Sequence, residues 1–174
     1  MDMFSEALFE NAGDIIPEGY DWYAPLIGDW DFDYYDGYEN GTPRHVTGEW
    51  LFRKILEGAA VQDIFICPSR ETRLTDPQED GEYGTALRRF DFNEKCWKMV
   101  YITKDYAIHV KWGYYPSEEG GRLVGTVREN PDNRFIFDSI TGTSFHWQNI
   151  VICEDGTERV VSNIYARRKK FCGA

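Results

Sequence analysis

Positive charge, histidine and long apolar runs are all scarce in this chain. It carries 19 Lys and Arg against 30 Asp and Glu, a net charge of −11 over 174 residues. A general nucleic-acid binder needs a basic face to displace counterions, and this balance excludes one. It argues equally against docking on anionic membrane surfaces. The only dense basic run, Arg167-Arg168-Lys169-Lys170, reads as a solvated edge closing a last strand. No apolar run approaches the roughly 18 residues of a membrane-spanning helix.

Catalytic and metal signatures are missing too. His45, His109 and His146 show no His-x-His or His-Glu-x-x-His spacing, so no metal site is expected. There is no G-x-S-x-G elbow and no glycine-rich phosphate loop, so neither a nucleophile nor a cofactor is expected. Asp29-x-Asp31-x-Asp33 invites a calcium reading. An EF-hand loop begun at Asp29 would need Gly and Glu where Tyr34 and Asn40 stand, so the three acids read as a solvated stripe on a strand. Cys67, Cys96, Cys153 and Cys172 form no Cys-x-x-Cys pair. Met1 to Glu6 lack a basic and then an apolar leader segment. The expectation is a cytoplasmic protein with reduced thiols.

What the chain has in quantity is aromatic residues, 16% of the total within 42% hydrophobic. That composition excludes disorder, and the length fits one domain. Residues 1–25 differ from the rest. Apolar spacing predicts a short helix over Ser5 to Asn11, ended by Gly13 and lying across one end of the domain. Residues 26–170 form the domain and 171–174 a tail.

From Ile27 onward, runs rich in Val, Ile, Thr, Tyr, Phe and Trp are cut by turn signals. The expected strands are Ile27–Asp36, His45–Leu56, Ala59–Cys67, Tyr83–Asp91, Lys95–Thr103, Tyr106–Tyr114, Arg122–Arg128, Arg134–Ile140, Thr143–Ile152 and Glu158–Arg168. Asn40-Gly41 and Asn130-Pro131-Asp132-Asn133 read as turns. No helical stretch interrupts the series, so parallel crossovers are not expected. The fold class is therefore all-β: a closed antiparallel up-and-down barrel of about eight to ten strands, with a short N-terminal helix. Closure removes exposed edges, and that strand number leaves room for one small ligand.

Some strands are apolar on both faces. Trp97, Met99 and Tyr101 oppose Val100 and Ile102, and Phe145 and Trp147 oppose Ile150. A lid, a partner subunit or an apolar cavity would each account for this, so a homodimer is one expectation. Gln62, Arg88 and Asn149 are polar residues set among apolar strand neighbours. An inward one needs a partner or a wet cavity. An inward arginine fork would suit an acidic or oxygen-bearing ligand. His109 and His146 are read as surface or half-buried residues, with a general base or a haem ligand as the alternative.

Four segments carry a family resemblance. They are Ile27-Gly28-Asp29-Trp30, Gly48 to Asp63, Tyr83 to Asp91 followed by Trp97, and Ser144-Phe145-His146-Trp147. Together they resemble an uncharacterised family of bacterial calycin-like domains, similar in architecture to lipocalins and fatty-acid-binding proteins. Gly28-x-Trp30 resembles the opening of lipocalin barrels. The resemblance spans roughly residues 26 to 168 and implies a small-molecule cavity. It carries over no activity, and the axial-histidine motif of haem-binding relatives is not matched.

The leading expectation is a barrel that binds a small, largely apolar molecule. Its pocket residues would be Trp50, Gln62, Arg88, Tyr101 and Trp147, with His109 as a weaker member. Gln62 and Arg88 would orient the ligand, and the aromatics would supply contact area. One alternative is an isomerase, cyclase or hydrolase with a titratable group in the cavity. Another is a homo-oligomeric interaction module with a filled barrel.

Overall fold

Side chains alternate along a strand, so a strand that buries one face must alternate apolar with polar. Gly28–Asp36, here β1, does so: Trp30 and Phe32 are buried while Asp29, Asp31 and Asp33 lie on the opposite face. The computed structural model describes residues 2–104, 110–116, 121–127 and 130–170. After a short helix α1 (Met3–Phe9), the strands are β1, β2 (Arg44–Ile55), β3 (Ala60–Cys67), β4 (Glu82–Asp91) and β5 (Cys96–Thr103). They continue as β6 (Val110–Pro116), β7 (Leu123–Val127), β8 (Asn130–Asp138), β9 (Ser144–Ile152) and β10 (Glu158–Arg168).

Every pairing between these strands is antiparallel. Each strand pairs with its neighbours in sequence, and β1 pairs with both β2 and β10. The result is a strongly curled all-β sheet whose order runs β1-β10-β9-β8-β7-β6-β5-β4-β3-β2.

Three local expectations change. The helix runs over Met3–Phe9 rather than Ser5 to Asn11, because Asp2 caps its first turn by accepting from the Ser5 N–H. It touches β2, but Met3 and Phe4 stay exposed. The end of the sheet is filled instead by the segment after it, where Tyr23 and Leu26 are fully buried. Second, the β1–β2 connection is a single 3-10 turn at Tyr38–Asn40, with Gly37 and Gly41 in left-handed conformations flanking it. Third, Asn130 to Asn133 belong to β8 rather than to a turn. The register with β7 shifts between Val127↔Asn130 and Thr126↔Arg134. Pro131, which has no N–H to give a ladder, falls in that irregular interval.

The inside of the curl is packed at one end. Trp30, Phe52, Phe90, Trp97, Phe137 and Phe145 are fully buried there with Tyr23 and Leu26. Their rings meet mostly edge to face: Trp30 on Phe145 at 4.8 Å and Tyr23 on Trp97 at 4.9 Å. Trp30 Nε1 donates to the Leu26 carbonyl at 2.7 Å, and Trp97 Nε1 to the Tyr20 carbonyl at 2.7 Å. These bonds fix the plugging segment against the strands.

The basic run seals the same end. Arg168 donates to the carbonyls of Pro25, Ile27 and Gly142, and its guanidinium lies 4.2 Å from the centre of the Trp30 ring. Gly28, at φ +139°, is where this can happen: any Cβ would collide with the Arg168 guanidinium. Lys169 pairs with Asp31 and Glu49, Arg167 with Asp33, and Arg53 with Asp29. The acidic stripe and the basic run are thus two sides of one outer seam, and the acids hold cations of the chain itself.

Candidate functional site

The opposite half of the interior is hollow. A cavity of about 190 Å³ lies there, with walls from β1 through β5 and from β8 to β10. One wall is aromatic. Trp147 stacks on Phe135 at 5.5 Å and meets Trp50 edge-on at 6.0 Å, and Phe65 meets Trp50 edge-on at 5.1 Å. The polar lining is Asp63, Glu82, Arg88 and Tyr101 from β3 to β5, with Asn149 and Ser162 from β9 and β10.

Cross-strand register explains how these residues meet. Asp63 faces Ala86, which faces Tyr101, and Val61 faces Arg88. Arg88 and Asp63, both almost fully buried, form an ion pair, and Asp63 also accepts from the Ala86 N–H at 3.2 Å. The Arg88 guanidinium sits 5.1 Å from the Tyr23 ring and 5.6 Å from the Phe52 ring. The pair therefore forms a floor between the packed half and the hollow half.

Tyr101 donates to Glu82. Gly84 makes this possible, because a Cβ there would strike the Tyr101 ring and hydroxyl. Tyr101 can thus lie across β4 to reach a carboxyl two residues away along that strand. Burial pushes the Glu82 carboxyl above its ordinary range, and the charge of Asp80 adds to this, while the Tyr101 hydrogen bond opposes it. Burial first, and then Glu82, raise the Tyr101 hydroxyl. Burial likewise raises Tyr34, against a hydrogen bond from Ser162. Cys67 is pushed up to about 12 by burial, with the Glu82 charge second, so its thiol is inert at neutral pH.

A second cavity of about 100 Å³ shares Tyr34, Phe65 and Glu82 with the first. Its other walls mix polar Arg44, Gln78 and Asp80 with Val46, Cys67 and Pro68. Arg44 is gripped by Asp36 at 2.6 Å and by Asp80 at 2.7 Å.

Trp50, Arg88, Tyr101 and Trp147 come together on the inner cavity, as four of the six residues singled out from the sequence. Gln62 does not join them. Its Cα partner is the exposed Leu87, and its side-chain amide donates to Thr85 Oγ1 at 3.1 Å on the outer face. Period-two alternation turns its neighbour Asp63 inward instead. His109 lies outside the described residues. The two other histidines are on the outer face. His45 pairs with Asp33 at 2.7 Å, and His146 lies between Asp138 at 3.1 Å and Asn163 at 2.9 Å.

Among solved structures, the crystal structure of Rv2717c from M. tuberculosis is similar in fold. Its TM-score is 0.58 at 12% identity, over 89% of this chain and 99% of that one. At that identity the likeness shows the fold alone. No family model matches the chain, and no curated protein matches it.

Asp63 and Glu82 are the functional candidates that sequence reading passed over. Alternation with Val61 and Phe65 was a readable signal for Asp63. Glu82 gave none, because it reads as the last residue of the polar loop before β4. Among the described residues no cluster of three or more His, Cys, Asp or Glu could hold a metal ion. No described helix is long and apolar enough to cross a membrane.

Proposed function

We propose that this chain is a calycin-like barrel, closed through the β1–β10 ladder, that binds a small neutral molecule. The ligand would be ring-sized, with an aromatic or alicyclic body and a group that both donates and accepts hydrogen bonds. One observation carries the reading: three cavity-lining residues hold buried polar atoms without a partner in the protein. They are two donors, Trp50 Nε1 and Arg88 Nε, and one acceptor, Asn149 Oδ1. Such atoms are costly unless something completes them. The size agrees, since an apolar cavity of roughly 150 Å³ accepts benzene in another protein.

Arg88 alone would favour an acidic ligand. Its pairing with Asp63 removes that preference, because an anion would have to compete with a carboxylate already in place. Glu82 opposes an anion further. A neutral ligand is the one expected, because Asp63 and Arg88 cancel and burial disfavours charge on Glu82. The filled-barrel interaction module loses support to the cavity.

The test begins with native mass spectrometry of gently purified protein, compared with its denatured mass. An adduct lost on denaturation supports the reading and gives a ligand mass. Benzamide, benzoate and benzylamine are then titrated as probes of one ring size and three charges. Benzamide should bind at least about tenfold more tightly than either ion. Asn149→Leu should weaken benzamide by roughly 2- to 10-fold, the range for one hydrogen bond. Binding of benzoate as the best of the three, or no binding by any, would overturn the proposal.

A further inference from the structure

The two carboxyls of the inner cavity are in contrasting states. Asp63 is neutralised by Arg88 and anchored by a backbone N–H. Glu82 has no cation paired with it among the described residues, and its hydrogen bond is the one from Tyr101. Arg44, which lines the outer cavity with it, is committed to Asp36 and Asp80. A buried carboxyl without a countercharge is expensive to keep, and such groups concentrate where chemistry is done.

Its position fits proton transfer. Glu82 belongs to both cavities, so it is reached from the aromatic-lined chamber on one side and from the loop-lined one on the other. A group that takes a proton from a bound molecule must exchange it with water, and on the second cavity Glu82 neighbours Arg44 and Asp80, which are partly exposed. Trp50, Phe65 and Gly84 form one cross-strand row, and the Tyr101 hydroxyl rests over Gly84. Trp50 and the Tyr101–Glu82 pair therefore line the same cavity from either side of Phe65 along this row.

We infer that the cavity transfers protons to and from carbon, with Glu82 as general base toward a small enolisable ketone and the Trp50 N–H receiving the ketone oxygen. This rests on the cavity being a binding site; a ketone uses the Trp50 donor of that reading and leaves the Asn149 acceptor to a donor elsewhere on the substrate. In the step, the Glu82 carboxylate takes a proton from the carbon beside the carbonyl. The C–H electron pair becomes the enolate double bond, and the carbonyl π pair moves onto oxygen. That oxygen accepts from Trp50 Nε1. Return of the proton to the same carbon gives exchange, and return to a conjugated carbon gives isomerisation. No other reactant is consumed. Tyr101 is a positioning residue, holding the carboxyl through Gly84's open space.

The test uses cyclohexanone in deuterium oxide, with loss of its α-hydrogens followed by proton NMR and binding by saturation transfer. The wild-type protein should accelerate exchange. Glu82→Gln should cut that acceleration by about 100-fold or more, the usual range for a general base, while cyclohexanone still binds. The acceleration should rise with pH through an apparent value above the ordinary glutamate range. The groups facing Glu82 are Tyr34 on β1, Arg44 on β2, Cys67 on β3, Asp80 in the preceding loop and Tyr101 on β5. Tyr101→Phe should move that pH midpoint, which a merely structural role would not do. Cyclohexanone that binds without accelerated exchange, or equal rates in wild type and Glu82→Gln, overturns proton transfer and leaves the binding reading intact. Absence of cyclohexanone binding overturns it too, and benzamide binding then decides whether the cavity reading falls with it. Thermal melts of both variants identify any loss of folding, and Glu82→Asp, which keeps the carboxyl, should retain more exchange than Glu82→Gln.

Discussion

The two halves of the interior are built from the same alternating strands, yet one is solid and the other hollow. β1 shows the contrast within a few residues. Trp30, at the solid end, touches Phe145 and is tied to the Leu26 carbonyl. Tyr34, on the same face of the same strand, borders both cavities. The difference comes from what is added to the sheet. At the solid end Tyr23 and Leu26 enter from outside the sheet strands, and Arg168 seals the seam behind them. At the hollow end the loop before β4 contributes Gln78 and Asp80 to a polar rim. A curled sheet of this size leaves interior space, and among the described residues only one end receives a plug. The Asp63–Arg88 pair marks the boundary.

The contrast can be broken most severely at its solid end. Phe52→Ala should cost about 3–5 kcal/mol in urea unfolding, because a fully buried ring with rigid neighbours leaves a cavity. At the boundary, Asp63→Leu should cost about 3–5 kcal/mol, since it leaves the Arg88 charge buried and uncompensated. The double variant Asp63→Leu/Arg88→Met should recover most of that loss. Arg88→Ala should for the same reason disturb the fold, although Arg88 taken alone reads as a ligand contact. In the hollow half, Phe135→Ala should cost only about 1–2 kcal/mol, because Phe135 already borders empty space. Equal costs for Phe52→Ala and Phe135→Ala would show that the two halves are equally packed.

Two carboxyls sharpen the contrast with smaller effects of opposite sign. Glu82 is raised by burial, so the folded protein holds its proton more tightly than the unfolded chain. Stability linked to it is greatest at low pH and falls as pH rises through the raised value. Glu82→Gln should therefore raise Tm at pH 8 and leave it nearly unchanged at pH 4. Glu49, on the outer face, behaves in reverse. Burial disfavours its charge, but Arg70 and Lys169 outweigh this and hold it at about 2. Its contribution is present above the unfolded value of 4.5 and is lost as pH falls toward 2. Glu49→Gln should lower Tm at pH 7 and match wild type at pH 2. Calorimetry of both variants across pH checks the two signs together.

Much of the strand layout was legible in the residues. The run from Glu158 to Arg168 is β10 end for end, and Ser144 to Ile152 differs from expectation by one residue. Strands announce themselves through local alternation and turn chemistry, which need no knowledge of the rest of the chain. The site was half legible. Trp50, Arg88, Tyr101 and Trp147 all reached the cavity, because large or cationic residues on an apolar face have few places to go. Gln62 and Asp63 are adjacent polar residues, and the alternation of Asp63 with Val61 and Phe65 was the one local sign of which turns inward. The parity is settled by the pairing of Asp63 with Ala86.

By itself, then, the sequence determined an antiparallel all-β chain with an acidic stripe on alternate positions of its first strand and a basic run closing its last, since both follow from residue order within single strands. It did not determine where the interior is filled. That depended on Tyr23 and Leu26 reaching strands far along the chain, on Asp63 meeting Arg88, and on Gly84 yielding its space to Tyr101. Each of these is a contact across strands. Its energy comes from desolvation and close packing, which exist only once the sheet has curled and brought its inner faces together.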